Sequence, residues 1–319
     1  MSMQLPQITM AVASDFDMTL SAEYCQRPLF EAYDVDEARF WADKKEHVAR
    51  LDAMLRDEDS FPEALRCSPE FGQVMVDSDT YYLQDILDLV LQGPMKGLSR
   101  QRLRELGQEI RLYEGVPEFI EELKTYVRSN PEWTRWNISI EFYIISTGIG
   151  DLIRGSAVGK QVDGIYACEF LPDIDANPAT GEISQIVTPV NFTNKTRYIY
   201  EILKGSSHHV NDKVAHRRRR IRGDALIYLG DGPTDIAPMA VVNKLGGKSI
   251  AVYDPTSQKN FDNAATLNEE GRVAAFCPAD YRRGSHLRNI LERYIRQNAD
   301  RIVSEKEGIT WPDKSFQGG

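Results

Sequence analysis

Asp15 and Asp17 stand two residues apart at the end of the apolar run Ile8-Thr9-Met10-Ala11-Val12-Ala13. That run is short and partly β-branched, which predicts a buried strand. Side chains at i and i+2 of a strand share a face, so the two carboxyl groups are expected to emerge together. Like charges held that close need a cation or a proton between them. The carboxyl end of a buried strand is also where open α/β sheets hold their ligands. Two later apolar runs end in the same manner. Residues 138–145 lead into Ser146-Thr147-Gly148, and residues 225–229 lead into Gly230-Asp231-Gly232, with Asp235 a helical turn further on. Taken singly each is ordinary: acidic pairs cap turns, Gly-Asp-Gly is a turn composition, Ser146 can simply close a strand, and Asp235 suits the first turn of any helix. Their order along one chain, each after an apolar strand, carries more weight.

The elements that must position these residues follow from periodicity. Strands alternate with helices at both ends of the chain, and residues 36–110 read as mostly helical. Phe40, Trp41, Val48, Leu51 and Leu55 share one face; Leu83, Ile86, Leu87, Val90 and Leu91 form a second stripe. Ser99 suits the N-cap of a third helix through Leu103, Leu106 and Ile110, and Pro117 the first turn of a fourth through Phe119, Ile120, Leu123 and Val127. Downstream, residues 164–170 and 183–187 read as strands joined by a turn-rich stretch. Residues 194–203 and 233–242 read as helices, 249–253 and 272–276 as strands, and 285–296 as the closing helix. This alternation predicts an α/β fold with a doubly wound, mostly parallel sheet. The helical stretch is an insertion after the first strand: residues 1–20 and 111–319 make the core, and residues 21–110 a helical cap domain.

Composition bounds the function. A chain of 319 residues, 42% hydrophobic, can bury a sizeable core, and a net charge of −10 argues against general nucleic-acid binding. No apolar run reaches the length of a membrane span, and Met1-Ser2-Met3-Gln4 is no signal peptide, so a cytoplasmic protein is expected. Cys25, Cys67, Cys168 and Cys277 lack metal-ligand spacing and read as reduced thiols. The sequence specifies no oligomeric state.

The chain resembles the haloacid dehalogenase superfamily of phosphohydrolases along nearly its whole length. Asp15-Phe16-Asp17-Met18-Thr19-Leu20 is similar to that family's Asp-x-Asp-x-Thr element. Tyr143-Ile144-Ile145-Ser146-Thr147-Gly148 resembles its apolar strand ending in Ser or Thr. Lys195 in Thr193-Asn194-Lys195-Thr196 matches its lysine at a helix start, and Gly230-Asp231-Gly232-Pro233-Thr234-Asp235 its closing acidic element. The inserted helices look like the family's first type of cap. The nearest likeness is to a little-characterised bacterial branch with Gly-Asp-Gly-Pro-x-Asp. Further likeness links the chain to phosphoserine phosphatases and, over residues 15–21 and 146–151, to cytosolic pyrimidine nucleotidases. A Rossmann-like core is thereby implied.

The resemblance implies roles, and chemistry gives reasons for them. Asp15 would be the nucleophile, splitting phosphate transfer through an aspartyl-phosphate. Asp17 would protonate the leaving oxygen and later deprotonate water. Mg²⁺ would be held by Asp15 and Asp231, with the backbone carbonyl of Asp17. Ser146, Thr147 and Lys195 would hold the phosphate, with Thr19 and Asp235 in support; Asp235 would orient Lys195 or a metal-bound water. Four carboxylates repel a phosphate unless a cation intervenes, so the charge count itself calls for the metal. Retention of Asp17 argues against dehalogenase and phosphonate-cleaving members, which replace it, and the Asp-Lys-Thr-Gly-Thr signature of cation pumps is absent. The expectation is a phosphatase acting on a small phosphorylated metabolite, with no nucleic-acid or membrane partner. The alternatives are a phosphotransferase or phosphomutase, or a catalytically silent phosphate-binding protein.

Other features read more plainly. An exposed helical lysine is the ordinary reading of Lys195. His216-Arg217-Arg218-Arg219-Arg220 suits a solvated insertion, and His208-His209 lacks further ligands nearby. Phe40-Trp41 and Tyr81-Tyr82 suit either a pocket wall or a core. Met18 stands where many relatives carry glycine.

Overall fold

The computed structural model describes residues 8–56, 76–205, 208–215 and 218–308. Cys67, His216, Arg217, Met1 to Gln4 and the side chain of Leu55 lie outside the described residues. Seven strands form one sheet: β1 (Ile8–Ser14), β2 (Ile138–Ile149), β3 (Gly164–Pro172), β4 (Ile183–Thr188), β5 (Ile221–Gly230), β6 (Lys248–Tyr253) and β7 (Ala275–Pro278). Their order is β4-β3-β2-β1-β5-β6-β7. Every neighbouring pair is parallel except β3 with β4, the hairpin at one edge.

β1 lies in the middle because it is buried on both faces. Ala11, Val12 and Ala13 are fully buried in succession, which only a covered central strand permits. Its register fixes the working end of the sheet. Ser14, the last residue of β1, pairs with Ile144 of β2 on one side and Leu229 of β5 on the other; β5 stops one residue on at Gly230, whereas β2 runs past its expected end at Ile145 to Ile149. Asp15 and Asp231 directly follow β1 and β5, and Ser146 lies on β2 two residues past the partner of Ser14. The covering helices include α5 (Val116–Ser129) and the short α6 (Pro131–Arg135), packed on β2, α8 (Lys195–Lys204) on β5 and β2, α9 (Ile236–Lys244) on β5 and β6, α10 (Gln258–Glu269) on β6 and β7, and α11 (His286–Lys306) on β7 and β5.

Between β1 and α5 come α1 (Arg27–Ala32), α2 (Glu37–Arg56), α3 (Tyr82–Gln92) and α4 (Arg100–Leu106). The α3 stripe buries Leu83, Ile86, Leu87 and Val90 against β4, while Leu91 falls off it and is exposed. Ser99 caps α4 by accepting from the Arg102 N–H at 3.2 Å. That helix ends at Leu106 and gives way to a tighter turn over Gly107–Glu109, short of the expected Ile110. α4 rests on α7 (Gly150–Gly155), where the buried Asp151 accepts from Arg100 Nε at 2.6 Å and Arg104 Nε at 2.7 Å.

Other boundaries shift for local reasons. β5 starts at Ile221, four residues earlier than its continuous apolar run, because Ile221 pairs with Thr9 across a register shift. Arg220 consequently sits at a strand start, where its guanidinium pairs with Glu141 of β2 rather than floating in a loop. The last strand is Ala275–Pro278, and the α11 helix runs on to Lys306. His209 serves a local turn, its N–H bonded to Asp212 at 2.7 Å. No described helix is long and apolar enough to cross a membrane.

Candidate active site

Asp15 leaves β1 with its N–H donating to the Leu229 carbonyl at 2.9 Å, so its backbone is still tied to the sheet. Its Oδ1 accepts from the Phe16 N–H at 2.7 Å, and its Oδ2 lies 2.8 Å from Lys195 Nζ. The chain then turns sharply: the Phe16 carbonyl accepts from the N–H groups of Thr19, Leu20 and Ser21. Met18 occupies a left-handed conformation at φ 57°, a conformation that favours glycine. This turn returns Asp17 to the cavity, where its Oδ1 accepts from the Cys25 N–H at 2.9 Å.

Lys195 is the first residue of α8 and is fully buried, not an exposed helical lysine. A buried ammonium needs anionic partners. It has two, Asp15 at 2.8 Å and Asp235 at 2.9 Å. Burial disfavours the charged amine, yet these carboxylates outweigh it and hold the pKa above its usual value. Asp235 has both oxygens occupied. Oδ1 accepts from Lys195 and from the Tyr228 hydroxyl at 2.8 Å; Oδ2 accepts from the N–H of Asp231 at 3.1 Å. A Cβ on Gly230 would collide with this carboxylate, so glycine there lets the strand end approach it.

Asp231 follows β5, and Thr19 Oγ1 donates to its Oδ1 at 3.1 Å. Burial, reinforced by Asp235 and Asp15, pushes its pKa well above the carboxylate range. Burial likewise raises Asp15, against the opposing pull of Lys195, and lifts Asp17 to about 6. These groups are thus short of positive charge.

Ser146 Oγ accepts from the Gly148 N–H at 2.9 Å. A Cβ on Gly148 would stand 2.6 Å from Cys25 Sγ, 3.0 Å from Asp17 Oδ2 and 3.1 Å from Ser146 Oγ. The glycine therefore permits the second strand end to close on Asp17. Thr147 lines the same cavity.

One oxygen each from Asp15, Asp231 and Asp235 lies within 4.8 Å of the others. An all-oxygen, all-carboxylate set suits a hard divalent cation such as Mg²⁺. Since Asp235 already accepts from four donors, with the Gly232 N–H at 3.5 Å as the longest, Asp15 and Asp231 are the better placed ligands.

The cavity above these acids measures about 750 Å³. The inserted segment supplies Tyr24, Gln26, Trp41, Lys44, Lys45 and Tyr82 to its walls. Of the aromatic pairs, Trp41 and Tyr82 face the cavity, 5.7 Å apart between ring centroids, whereas Phe40 packs against Phe30 and Tyr81 against His47. Gln26 is buried and its Oε1 has no partner among the described residues. Sequence reasoning missed Gln26 and the lysines, which carry no pattern, and Tyr228, whose hydroxyl is the single polar side-chain atom in the apolar run 225–229.

No protein-family model matches the chain. A Borreliella burgdorferi protein of uncharacterised function is 28% identical over 296 residues, covering 89% of this chain and 95% of its own. Among solved structures, a gene product of Archaeoglobus fulgidus matches with a TM-score of 0.51 at 12% identity, over 97% of this chain and 89% of that one. A probable phosphoserine phosphatase from Vibrio cholerae matches at 0.48 and 13% identity, over 95% and 69%. A haloacid dehalogenase-like hydrolase from Streptococcus pneumoniae matches at 0.39 and 13%, over 90% and 98%. These are likenesses of fold. The chain has an α/β fold with a mostly parallel sheet and flanking helices, shared with the Archaeoglobus fulgidus protein over 97% of its length.

Proposed function

We propose that the protein is a Mg²⁺-dependent phosphomonoester hydrolase acting on a small phosphorylated metabolite through an aspartyl-phosphate on Asp15. The observation that carries this reading is the buried Lys195 ammonium bridging Asp15 and Asp235, with Asp17 and Asp231 lining the same cavity. Two of its three N–H donors serve those carboxylates, leaving the third for a phosphate oxygen. Bound Mg²⁺, held by Asp15 and Asp231 with the Asp17 carbonyl, would supply the charge neutralisation that an anionic substrate needs among four carboxyl groups.

Asp15 attacks phosphorus and the bond to the leaving oxygen breaks; Asp17 gives that oxygen its proton. A pKa raised to about 6 suits Asp17 to holding a proton close to neutrality. In the second step Asp17 takes a proton from water as the water oxygen bonds to phosphorus, releasing phosphate and restoring Asp15. Lys195 and Ser146 hold the phosphate throughout, and Asp235 fixes Lys195. Residues 21–110 serve as the cap, shielding the first step from water. A cavity of about 750 Å³ exceeds what a phosphate alone occupies and suits a metabolite-sized ester. Gln26 offers its free carbonyl to a hydroxyl or ammonium donor on the leaving group.

Phosphate release from a panel of small phosphomonoesters tests this, with Mg²⁺ or EDTA and with Asp15→Asn as control. Turnover should require both Mg²⁺ and Asp15, the substitution costing about 10³-fold or more. Release that persists in EDTA or in Asp15→Asn contradicts the reading. No release by folded protein turns the account toward phosphotransfer or simple binding.

A further inference from the structure

Tyr82 opens α3, and its buried hydroxyl donates to the Thr147 carbonyl at 2.7 Å. Cys168 Sγ, from β3, donates to the same oxygen at 3.2 Å. The peptide joining Thr147 to Gly148 is trans, so its N–H points opposite to its C=O. With the carbonyl drawn toward Tyr82 and Cys168, the Gly148 N–H is turned the other way, and there it donates to Ser146 Oγ at 2.9 Å. A serine hydroxyl that accepts from a fixed N–H keeps its own proton available for a different acceptor. In the phosphatase reading, on which this inference rests, that acceptor is the phosphate.

We propose that Tyr82 is a positioning residue for the reaction: by holding the Thr147 carbonyl it orients the Gly148 N–H and keeps the Ser146 hydroxyl a donor toward the substrate. The inserted segment then does more than cover the cavity. Its seating on the core sets the phosphate-holding stretch of β2 through one hydrogen bond. Ring packing alone does not require this arrangement, because the contact with Trp41 at 5.7 Å would survive without the hydroxyl. A buried phenol does need a partner, but its choice of this carbonyl links it to Ser146.

The test is a double-mutant cycle on p-nitrophenyl phosphate, with thermal melting to verify that each variant is folded. Tyr82→Phe keeps the ring and removes the donor. Its kcat should fall about tenfold in the otherwise native protein, with KM little changed. In the Ser146→Ala background the same substitution should cost little, since the hydroxyl that it orients is gone. An equal loss in both backgrounds, or none in the native one, overturns the proposal and leaves Tyr82 as an anchor of α3. Absence of Asp15-dependent turnover in the native protein would remove the phosphatase reading and this inference together.

Discussion

At the scale of the residue, the site is a contest between burial and charge. Asp17 shows it most simply, because its shift comes first from burial and only then from its neighbours. Its folded pKa of about 6 is above the ordinary 3.8, so between those values the folded protein holds more protons than the unfolded chain. Stability from this group therefore falls as pH rises: the cost is absent below the unfolded pKa, grows through about 6, and is complete above. An asparagine in its place would not titrate yet would still accept from the Cys25 N–H. In cation-free protein, Asp17→Asn should match the native melting temperature near about pH 4 and exceed it by several degrees near about pH 8. A difference independent of pH would contradict the burial argument. Which acids and which lysine converge was legible, because each follows an apolar run or opens a helix. Their hydrogen-bond partners were not. Thr19 on Asp231 and Tyr228 on Asp235 depend on strand register and on the turn after Phe16, neither of which leaves a periodicity.

At the scale of the element, three strand ends and one helix start do the positioning. β1 and β5 end within a residue of each other in register, so acids far apart in sequence meet without any long loop, and β2 carries Ser146 on past them. The strands were legible as apolar runs, but their ends were less so: β5 extends back to Ile221 through polar Arg222 and Asp224, which pair with each other at the sheet margin. The lining contributed by α2 and α3 was illegible for a physical reason. Trp41 and Phe40 have the same helical spacing whether they meet a cavity or a core, and only tertiary packing separates them. Lys44 lies 5.8 Å from the Trp41 ring centroid, with exposed Lys45 beside it, on the wall that faces four carboxyl groups. These lysines should favour substrates with a second anionic group. Replacing both by Ala should lower kcat/KM about tenfold for esters with a carboxylate or second phosphate in the leaving group, while neutral counterparts change about twofold or less. Equal losses for the two kinds would assign the lysines to general steering of the reacting phosphate instead.

At the scale of the whole molecule, an acidic chain gathers Asp15, Asp17, Asp231 and Asp235 around one cavity and sets the buried Lys195 against them, with, in our account, a divalent cation. The net charge of −10 and the carboxylate-lined floor repel anions, so in our account attraction of a phosphate is local, through Lys195, the proposed Mg²⁺ and the α2 lysines above. The site sits where β1, between β2 and β5, has its backbone bonded on both sides. The central claim is that Asp15 carries the phosphoryl group. It is tested most directly by mass spectrometry of the protein acid-quenched during turnover of a substrate found by phosphate release, in the presence of Mg²⁺. The account predicts a phosphorylated peptide whose modification maps to Asp15, absent without Mg²⁺ and absent from Asp15→Asn. Turnover that continues at native rate in Asp15→Asn, with no phosphorylated Asp15 in the native protein, would contradict it.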